Sequence, residues 1–470
     1  MISFANFFFL YIIKIMTNKT EIIFLNHSSF QITKGELNLL IDPWYFGRVF
    51  NNSWSLLKEG HEKIKKGITH IFISHEHPDH LHFPTLKYLK ENHFLSKSCV
   101  LIFPFRKENS VKNAIEKIGI SYQEIKDGKK NSLSLGEIEC TYYGENEMSD
   151  HTMVFNCKDI NILNQNDHYT SINVCREILS DFEKIDIMFT QFSIAGYHGN
   201  KNDHHVIRNN GTIYHLHKVR DYANIFKPKY LVPFASYVYF CDKYNRYLNN
   251  FIVNPNDLRS INLKYSTFQF VTYGDQILLD EELVENRNLE NLRNLNQLFD
   301  QKNFEIYQHE KKDIHSIISK IKDHLKNIDL KYWLAFKILK KSIRGKFIDN
   351  REIKLTDKTY FSNIKLNNFF KKIYNIIKLF RLLGINKRFM YIKIEDMENT
   401  VIRIDIFSFN KVDIVNDKYD IDFIVPSNQL DFALKFPWGV DTLNVTATGQ
   451  FYSALPDVFL RFVQKNNLRK

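Results

Sequence analysis

No segment of the 470-residue sequence is long and apolar enough to span a bilayer. The nearest approach is Ile2–Ile13, ISFANFFFLYII, well short of the roughly 20 apolar residues a spanning helix needs. No Lys or Arg precedes that run and no small-residue cleavage site follows it, which argues against a secretory signal. Met16 is followed by the more polar TNKTEIIFLNHSSF, so residues 1–15 read as an over-extended start and residues 1–19 as an N-terminal extension. Cysteine is sparse: Cys99, Cys140, Cys157, Cys175 and Cys241. The number is odd and no two are spaced C-x-x-C, so no disulfide framework is expected and a reducing, cytoplasmic setting is. Neither C-x-H nor C-x-x-H occurs, which removes a Rieske iron–sulfur centre. P-loop, GxGxxG and GxSxG patterns are also missing, so nucleotide hydrolysis by those routes and serine-hydrolase chemistry have no support. Glycine is scarce at 16, a bias we read as genome composition.

Basic charge is plentiful. The formal net charge is +11, which favours anionic partners by steering. No basic stretch carries the aromatic interleaving of a nucleic-acid platform, so the expected partner is a small anionic molecule, with no nucleic acid and no membrane span. Nothing in the sequence indicates an oligomeric state. The hydrophobic fraction of 44% and charged fraction of 25% are those of a globular protein. The length predicts two domains.

From residue 20 to about 280, short β-rich runs alternate with helical stretches, which predicts an α+β domain of sheets covered by helices. Ile22–Leu25, Ser29–Thr33 and Leu37–Ile41 read as strands, and Ile68–Ser74 as a buried one. Thr212–Phe226 reads as a helix, and YLVPFASYVYFCDKYN as a late strand. From about Glu281 the pattern turns long, charged and helical, with Glu281–Leu298, Phe304–Ile343 and Leu366–Leu383 as helices. Strand-like alternation returns over Val401–Phe407, Val412–Val415 and Asp420–Val425, then Asn428–Leu434 as a helix and Leu443–Phe451 as a strand. Residues 281–470 are therefore expected to form a C-terminal accessory α+β region.

The chemistry is concentrated in SHEHPDH, Ser74–His80, between an apolar strand and a helix-like segment opened by Phe83 and Pro84. Such a strand-to-helix loop projects side chains into a cleft. His75 and His77 can converge on one metal ion, with Asp79 and His80 aimed at a second. Imidazole and carboxylate ligands suit Zn, Fe or Mn, and the lack of thiolate removes softer choices.

His75, His77, Asp79 and His80 match the H-x-H-x-D-H signature, and the chain resembles the metallo-β-lactamase superfamily over about residues 20–275. The resemblance implies a four-layer αββα sandwich with a site for two divalent metal ions, Zn or Fe with Mn as a variant. It implies a role for Asp42 in orienting a ligand, His151 as a third imidazole on the first ion, and Asp167 as a bridging carboxylate, with His168 on the substrate side. The family's late-strand histidine is replaced here by Asp242. Asn26–Ile32, Thr190–Asn200, Val232–Tyr237 and Pro437–Leu443 resemble the branch containing CMP-N-acetylneuraminate hydroxylase and sugar-phosphate lactonases.

His198 and His204 belong to a second histidine-rich zone and are candidates for contact with substrate. Two functions follow from the resemblance. The first is a hydrolase using a metal-bound hydroxide on an anionic phosphoester or lactone, with Asp79 positioning the water or accepting its proton. The alternative is a di-iron oxygenase acting on an amino sugar or nucleotide sugar.

Overall fold

The computed structural model describes residues 19–104, 109–125, 130–144, 151–326, 389–405, 411–416, 419–436 and 438–452, with Pro456 and Leu460. The expected start at Met16 and the helix at Leu366–Leu383 lie outside these residues. The chain divides into two compact units, 1–195 with 204–307, and 196–203 with 308–470.

In unit 1, β1 (Glu21–Asn26), β2 (Ser29–Lys34) and β3 (Leu37–Ile41) form an antiparallel meander. A short ribbon follows, β4 (Arg48–Val49) and β5 (Trp54–Leu56). The chain then runs through β6 (Ile68–Phe72), α1 (Phe83–Glu91), β7 (Leu95–Pro104), α2 (Ser110–Ile118) and β8 (Ser121–Ile125). Strands β1-β2-β3-β6-β7-β8 lie in that order in a six-stranded sheet, parallel from β3 onward. Side chains alternate across it, as the two-residue period of a strand requires. Leu39, Ile41, Phe72 and Ile102 enter the central core, while Leu40, Ile71 and Leu101 pack on the opposite face with Leu86 and Leu89 of α1 and Ile115 of α2.

The second sheet begins with the antiparallel strands β9 (Lys130–Ser134), β10 (Glu139–Tyr143), β11 (Thr152–Asn156) and β12 (Asn161–Asn166). After α3 (Ile172–Asp181) come β13 (Ile187–Gln191), α4 (His204–Arg208) and α5 (Tyr214–Phe226). Then follow β14 (Tyr230–Phe234), β15 (Val238–Phe240), α6 (Pro255–Arg259), β16 (Thr267–Phe268) and α7 (Glu281–Leu298). Strands β12, β13, β14 and β16 are parallel. The two sheets pack face to face: Phe30 of β2 stacks on Phe189 of β13 with centroids 4.4 Å apart, and Phe72 meets Tyr142 at 5.1 Å. Val174 and Ile178 of α3 and Val219, Tyr222 and Phe226 of α5 are buried against the second sheet. Helices, two sheets and helices make the four-layer α+β sandwich expected from the sequence. The compositional change near Glu281 is not the break between units, because Val284, Leu292 and Leu295 of α7 are buried in the first core.

Unit 2 carries α8 (Ile314–Lys326), β17 (Phe389–Ile394), β18 (Val401–Asp405), β19 (Val412–Val415) and β20 (Phe423–Val425). These are followed by α9 (Ser427–Lys435), α10 (Gly439–Thr446) and β21 (Gln450–Phe451). The sheet order is β19-β18-β17-β20-β21, and its core joins Met390, Ile392 and Ile404 to Ile317 and Ile321 of α8 and Leu430 of α9. The strand expected over Leu443–Phe451 is confined to its last two residues. Leu443 falls within α10, which ends at Ala447 in a left-handed conformation.

Candidate metal centre

Strand β6 buries Ile68, Ile71 and Phe72 in the sheet while Thr69 and His70 are partly exposed, and the chain leaves it at Ile73 to form the Ser74–His80 loop. The backbone N–H groups of His80 and Leu81 donate to the His77 carbonyl, folding the loop back on itself. This bend brings His75 Nε2 within 2.8 Å of His77 Nδ1. Asp167, immediately after β12, completes a group with these two histidines in which the ligand atoms lie within 4.8 Å of one another. A β-bulge between Asn164 and Asn166 precedes Asp167, and Asn166 has φ 60°. Bulges of this kind re-aim the side chain that follows.

A second group consists of His27, Asp79 and His80, all buried, again within 4.8 Å. Its His27 Nε2 is 3.2 Å from Asp79 Oδ2, and His80 Nε2 is 3.4 Å from the same oxygen. The two groups meet at Asp167, whose Oδ2 is 3.7 Å from both His75 Nε2 and His80 Nε2. That position suits a carboxylate shared between two cations. The donor atoms fit such ions: His80 Nε2, Asp79 Oδ1 and Asp167 Oδ1 are buried with no hydrogen-bond partner among the described residues. Buried polar atoms are normally satisfied, so three orphaned lone-pair donors in one cluster point to cation ligation.

Asp42 holds this arrangement from behind. Located just past β3 with φ 39°, it accepts from the Ser74 backbone N–H and hydroxyl, each at 2.7 Å. His80 Nδ1 lies 3.0 Å from its Oδ2, and Asn166 Nδ2 donates to the same oxygen at 3.2 Å. Asn166 also donates to the Ser74 hydroxyl. With Nδ1 facing Asp42, His80 presents Nε2 to the cluster, the outer contact that fixes tautomer and ring orientation in metal-ligating histidines. His27, Asp42, Asn166 and Ala235 all have positive φ, and Ala235 N–H donates to the His27 carbonyl at 2.7 Å. Uncommon backbone conformations therefore gather at this edge of the sandwich.

The electrostatics follow from burial and mutual charge. Burial opposes ionisation of Asp79, but His80 and His27 outweigh it and hold the carboxyl well below its usual range. For Asp167, burial is likewise outweighed by His75, His80 and His77, and its carboxyl is held down to about 2. Burial works against the His80 imidazolium, yet Asp79, Asp167 and Asp42 together raise its pKa well above the ordinary value. In His27 burial prevails over Asp79 and lowers the pKa.

The remaining residues singled out in the sequence are placed elsewhere. His151 falls outside both groups, and its ring lies against Tyr142 at 6.4 Å. His168 is buried beside Asp167, with Nδ1 2.8 Å from Thr152 Oγ1. Asp242 also falls outside both groups. The late strand is two strands: β14 ends at Phe234, the chain turns at Ala235, and β15 pairs with β5 in a different sheet. Asp242 therefore terminates the small ribbon, where its Oδ1 accepts from Tyr244 N–H at 2.7 Å in an Asx-turn. In unit 2, His198 stacks on Phe451 at 4.2 Å. His204 is exposed on α4 of unit 1, with its ring 5.6 Å from Phe251. His27 was missed in the sequence. Its signal was a histidine in the tight Asn26–Ser29 turn between two strands, at the sheet edge where the Ser74–His80 loop emerges.

Residues 21–234 match the family model described as the beta-lactamase superfamily domain. Cytidine monophosphate-N-acetylneuraminic acid hydroxylase of Mus musculus is 36% identical over 77 residues, 16% of this chain and 13% of that protein. The Xenopus laevis hydroxylase is 30% identical over 111 residues, 23% of this chain and 18% of that protein. The chain thus spans less than a fifth of the length of these curated relatives. Among solved structures, CmlA, a diiron beta-hydroxylase from Streptomyces venezuelae, is 16% identical, covering 46% of this chain and 45% of that one at a TM-score of 0.34. The metallo-beta-lactamase fold protein YhfI from Bacillus subtilis is 10% identical, covering 55% of this chain and 98% of that one at 0.35. With the sandwich and its strand-end His/Asp cluster, the family match assigns residues 21–234 of this chain to the metallo-β-lactamase superfamily.

Proposed function

We propose that this chain is a metal-dependent hydrolase acting on an anionic small molecule, a phosphoester or a lactone. The observation that carries the reading is Asp167, set between His75–His77 and His27–Asp79–His80, with buried donor atoms of Asp167, Asp79 and His80 that have no hydrogen-bond partner among the described residues. Two divalent ions, Zn or Fe with Mn as a variant, would supply Lewis acidity and lower the pKa of a coordinated water. His75, His77 and Asp167 would hold one ion, and His27, Asp79, His80 and Asp167 the other. Asp79, kept ionised at neutral pH, orients the water or accepts its proton through whichever oxygen is left unligated. Asp42 keeps His80 in the tautomer that exposes Nε2.

A second reading, a di-iron oxygenase on an amino sugar or nucleotide sugar, has support in the short stretch of similarity to CMP-N-acetylneuraminic acid hydroxylases. Elemental analysis of protein purified without added metal separates the two. Two Zn per chain, with phosphoesterase or lactonase turnover that falls by several orders of magnitude in Asp79→Ala, supports the hydrolase. Two Fe per chain with a visible absorption band supports the oxygenase. An Asp79→Ala protein with near-normal turnover would sink both assignments of the site. Among the described residues no helix is long and apolar enough to cross a membrane.

A further inference from the structure

Lys218 carries a buried positive charge with no carboxylate bonded to it among the described residues. The residue is 7% exposed and sits on the inner face of α5 with His215, Val219, Tyr222 and Phe226. Its Nζ donates to Gln191 Oε1 at 3.4 Å, and that amide is buried as well. Asp167 acts on Lys218 through its charge, without a hydrogen bond, and burial outweighs it, bringing the lysine from 10.5 down to about 8. The lysine is thus still mostly protonated at neutral pH. A buried ammonium left in this state is costly unless something neutralises it. The Asp167 charge is already engaged by three histidines and would be engaged further by bound cations.

The position of this ammonium is set by the second sheet. In the parallel pairing of β12 with β13, Asn166 is opposite Thr190; Asp167 follows the last residue of β12, and Gln191 is the last residue of β13, so both lie at the carboxyl ends of neighbouring strands. Ligands of parallel α/β sheets sit at such ends. One turn before Lys218, His215 is kept neutral by burial, its pKa lowered to about 3, and its Nδ1 is buried with no hydrogen-bond partner among the described residues. A π-helical turn over Asn209–Ile213 leads into α5, an irregularity that often accompanies functional positions. Tyr169, two residues past Asp167, and Tyr214, beside His215, are 63% and 42% exposed and close enough for the charge of one to affect the other.

We propose that Lys218, with Gln191 and His215, seats the anionic group of the substrate, a phosphate or carboxylate, beside the metal centre. The class of reaction rests on the hydrolase reading above; the anion seat itself does not. An anion here neutralises the ammonium, receives its N–H donors, and offers a hydrogen-bond partner to His215 Nδ1. Tyr169 and Tyr214 then flank the remainder of the molecule, as suits a ring.

The test is calorimetric titration of inorganic phosphate and of acetate into protein whose metal content has been measured, using wild type, Lys218→Met and Gln191→Glu. The first variant removes the charge at similar volume; the second places a competing carboxylate beside it. Wild type should bind at least one anion, and both variants should weaken it tenfold or more, with metal content unchanged and the Tm of Lys218→Met not lowered. Tighter phosphate assigns a phosphoryl group, tighter acetate a carboxylate. Absence of anion binding to wild type overturns the proposal. So does unchanged affinity in Gln191→Glu, including the case where Lys218→Met fails to fold and the lysine is thereby structural. Metal-free protein with Lys218-dependent anion binding would remove the hydrolase reading and keep the seat. Two metals with Lys218-independent binding would do the reverse.

Discussion

The imidazole of His27 reaches across to Asp79, Nε2 to Oδ2 at 3.2 Å, joining the β1–β2 turn to the loop after β6. If both residues ligate one ion, His27→Ala should leave the His75–His77–Asp167 group intact. We expect about one metal per chain by elemental analysis, and affinity at the second position weakened by at least 10- to 100-fold, about the scale known for loss of an outer partner alone. A variant that still holds two metals as tightly as wild type would remove His27 from the ligand set.

Asp42 makes no contact with the proposed ions, yet its two oxygens gather Ser74, His80 and Asn166. Asp42→Asn keeps the shape but offers an amide to groups that need an acceptor. The expected result is metal binding weaker by about 10- to 100-fold, with a lowered Tm in metal-free protein as well. Metal affinity by competition with a chelator checks the first part, and thermal denaturation the second. Unchanged values would show that His80 is oriented by something else.

Acid should unfold this domain through histidines buried in the neutral form. Burial lowers His82 from 6.5 to about 4 and His215 from 6.5 to about 3. The unfolded chain then binds more protons than the folded one below about pH 6.5, so stability falls as pH drops through that window and levels off near the folded values. The single-site limit for His82 is about 3 kcal/mol at roughly 1.4 kcal/mol per unit. Urea midpoints of metal-free protein at pH 7, 5.5 and 4.5 should decline, and His82→Gln should flatten part of that decline. A variant with the wild-type pH slope would contradict the assignment.

Asp242 offers a contrast. Its side chain closes an Asx-turn after β15, so Asp242→Ala should cost about 1–3 kcal/mol, as for a buried hydrogen bond lost. Metal content should stay at the wild-type value. Loss of one ion on this substitution, in protein that remains folded, would return Asp242 to the ligand set.

The loop after β6 was legible in the sequence because its candidate ligands are local. His75, His77, Asp79 and His80 follow an apolar strand at spacings that speak for themselves, and Asp167 follows another such strand. The sandwich was legible for a similar reason, since alternation along Leu39–Ile41 reports which face of a strand is buried. His27 and Asp242 show the limit. Each depends on which strand edge meets which: one kink at Ala235 sends Asp242 into a separate ribbon, while Ala235 N–H holds His27 in place. Lys218 was hidden among surface lysines, because charge counts do not tell which ammonium a helix turns inward. Composition and local spacing thus determined the fold class and five residues of the candidate centre, His75, His77, Asp79, His80 and Asp167. The tertiary structure decided the partners brought from distant segments, His27, Asn166, Gln191 and Lys218, because side-chain convergence across strand ends is a property of packing and register.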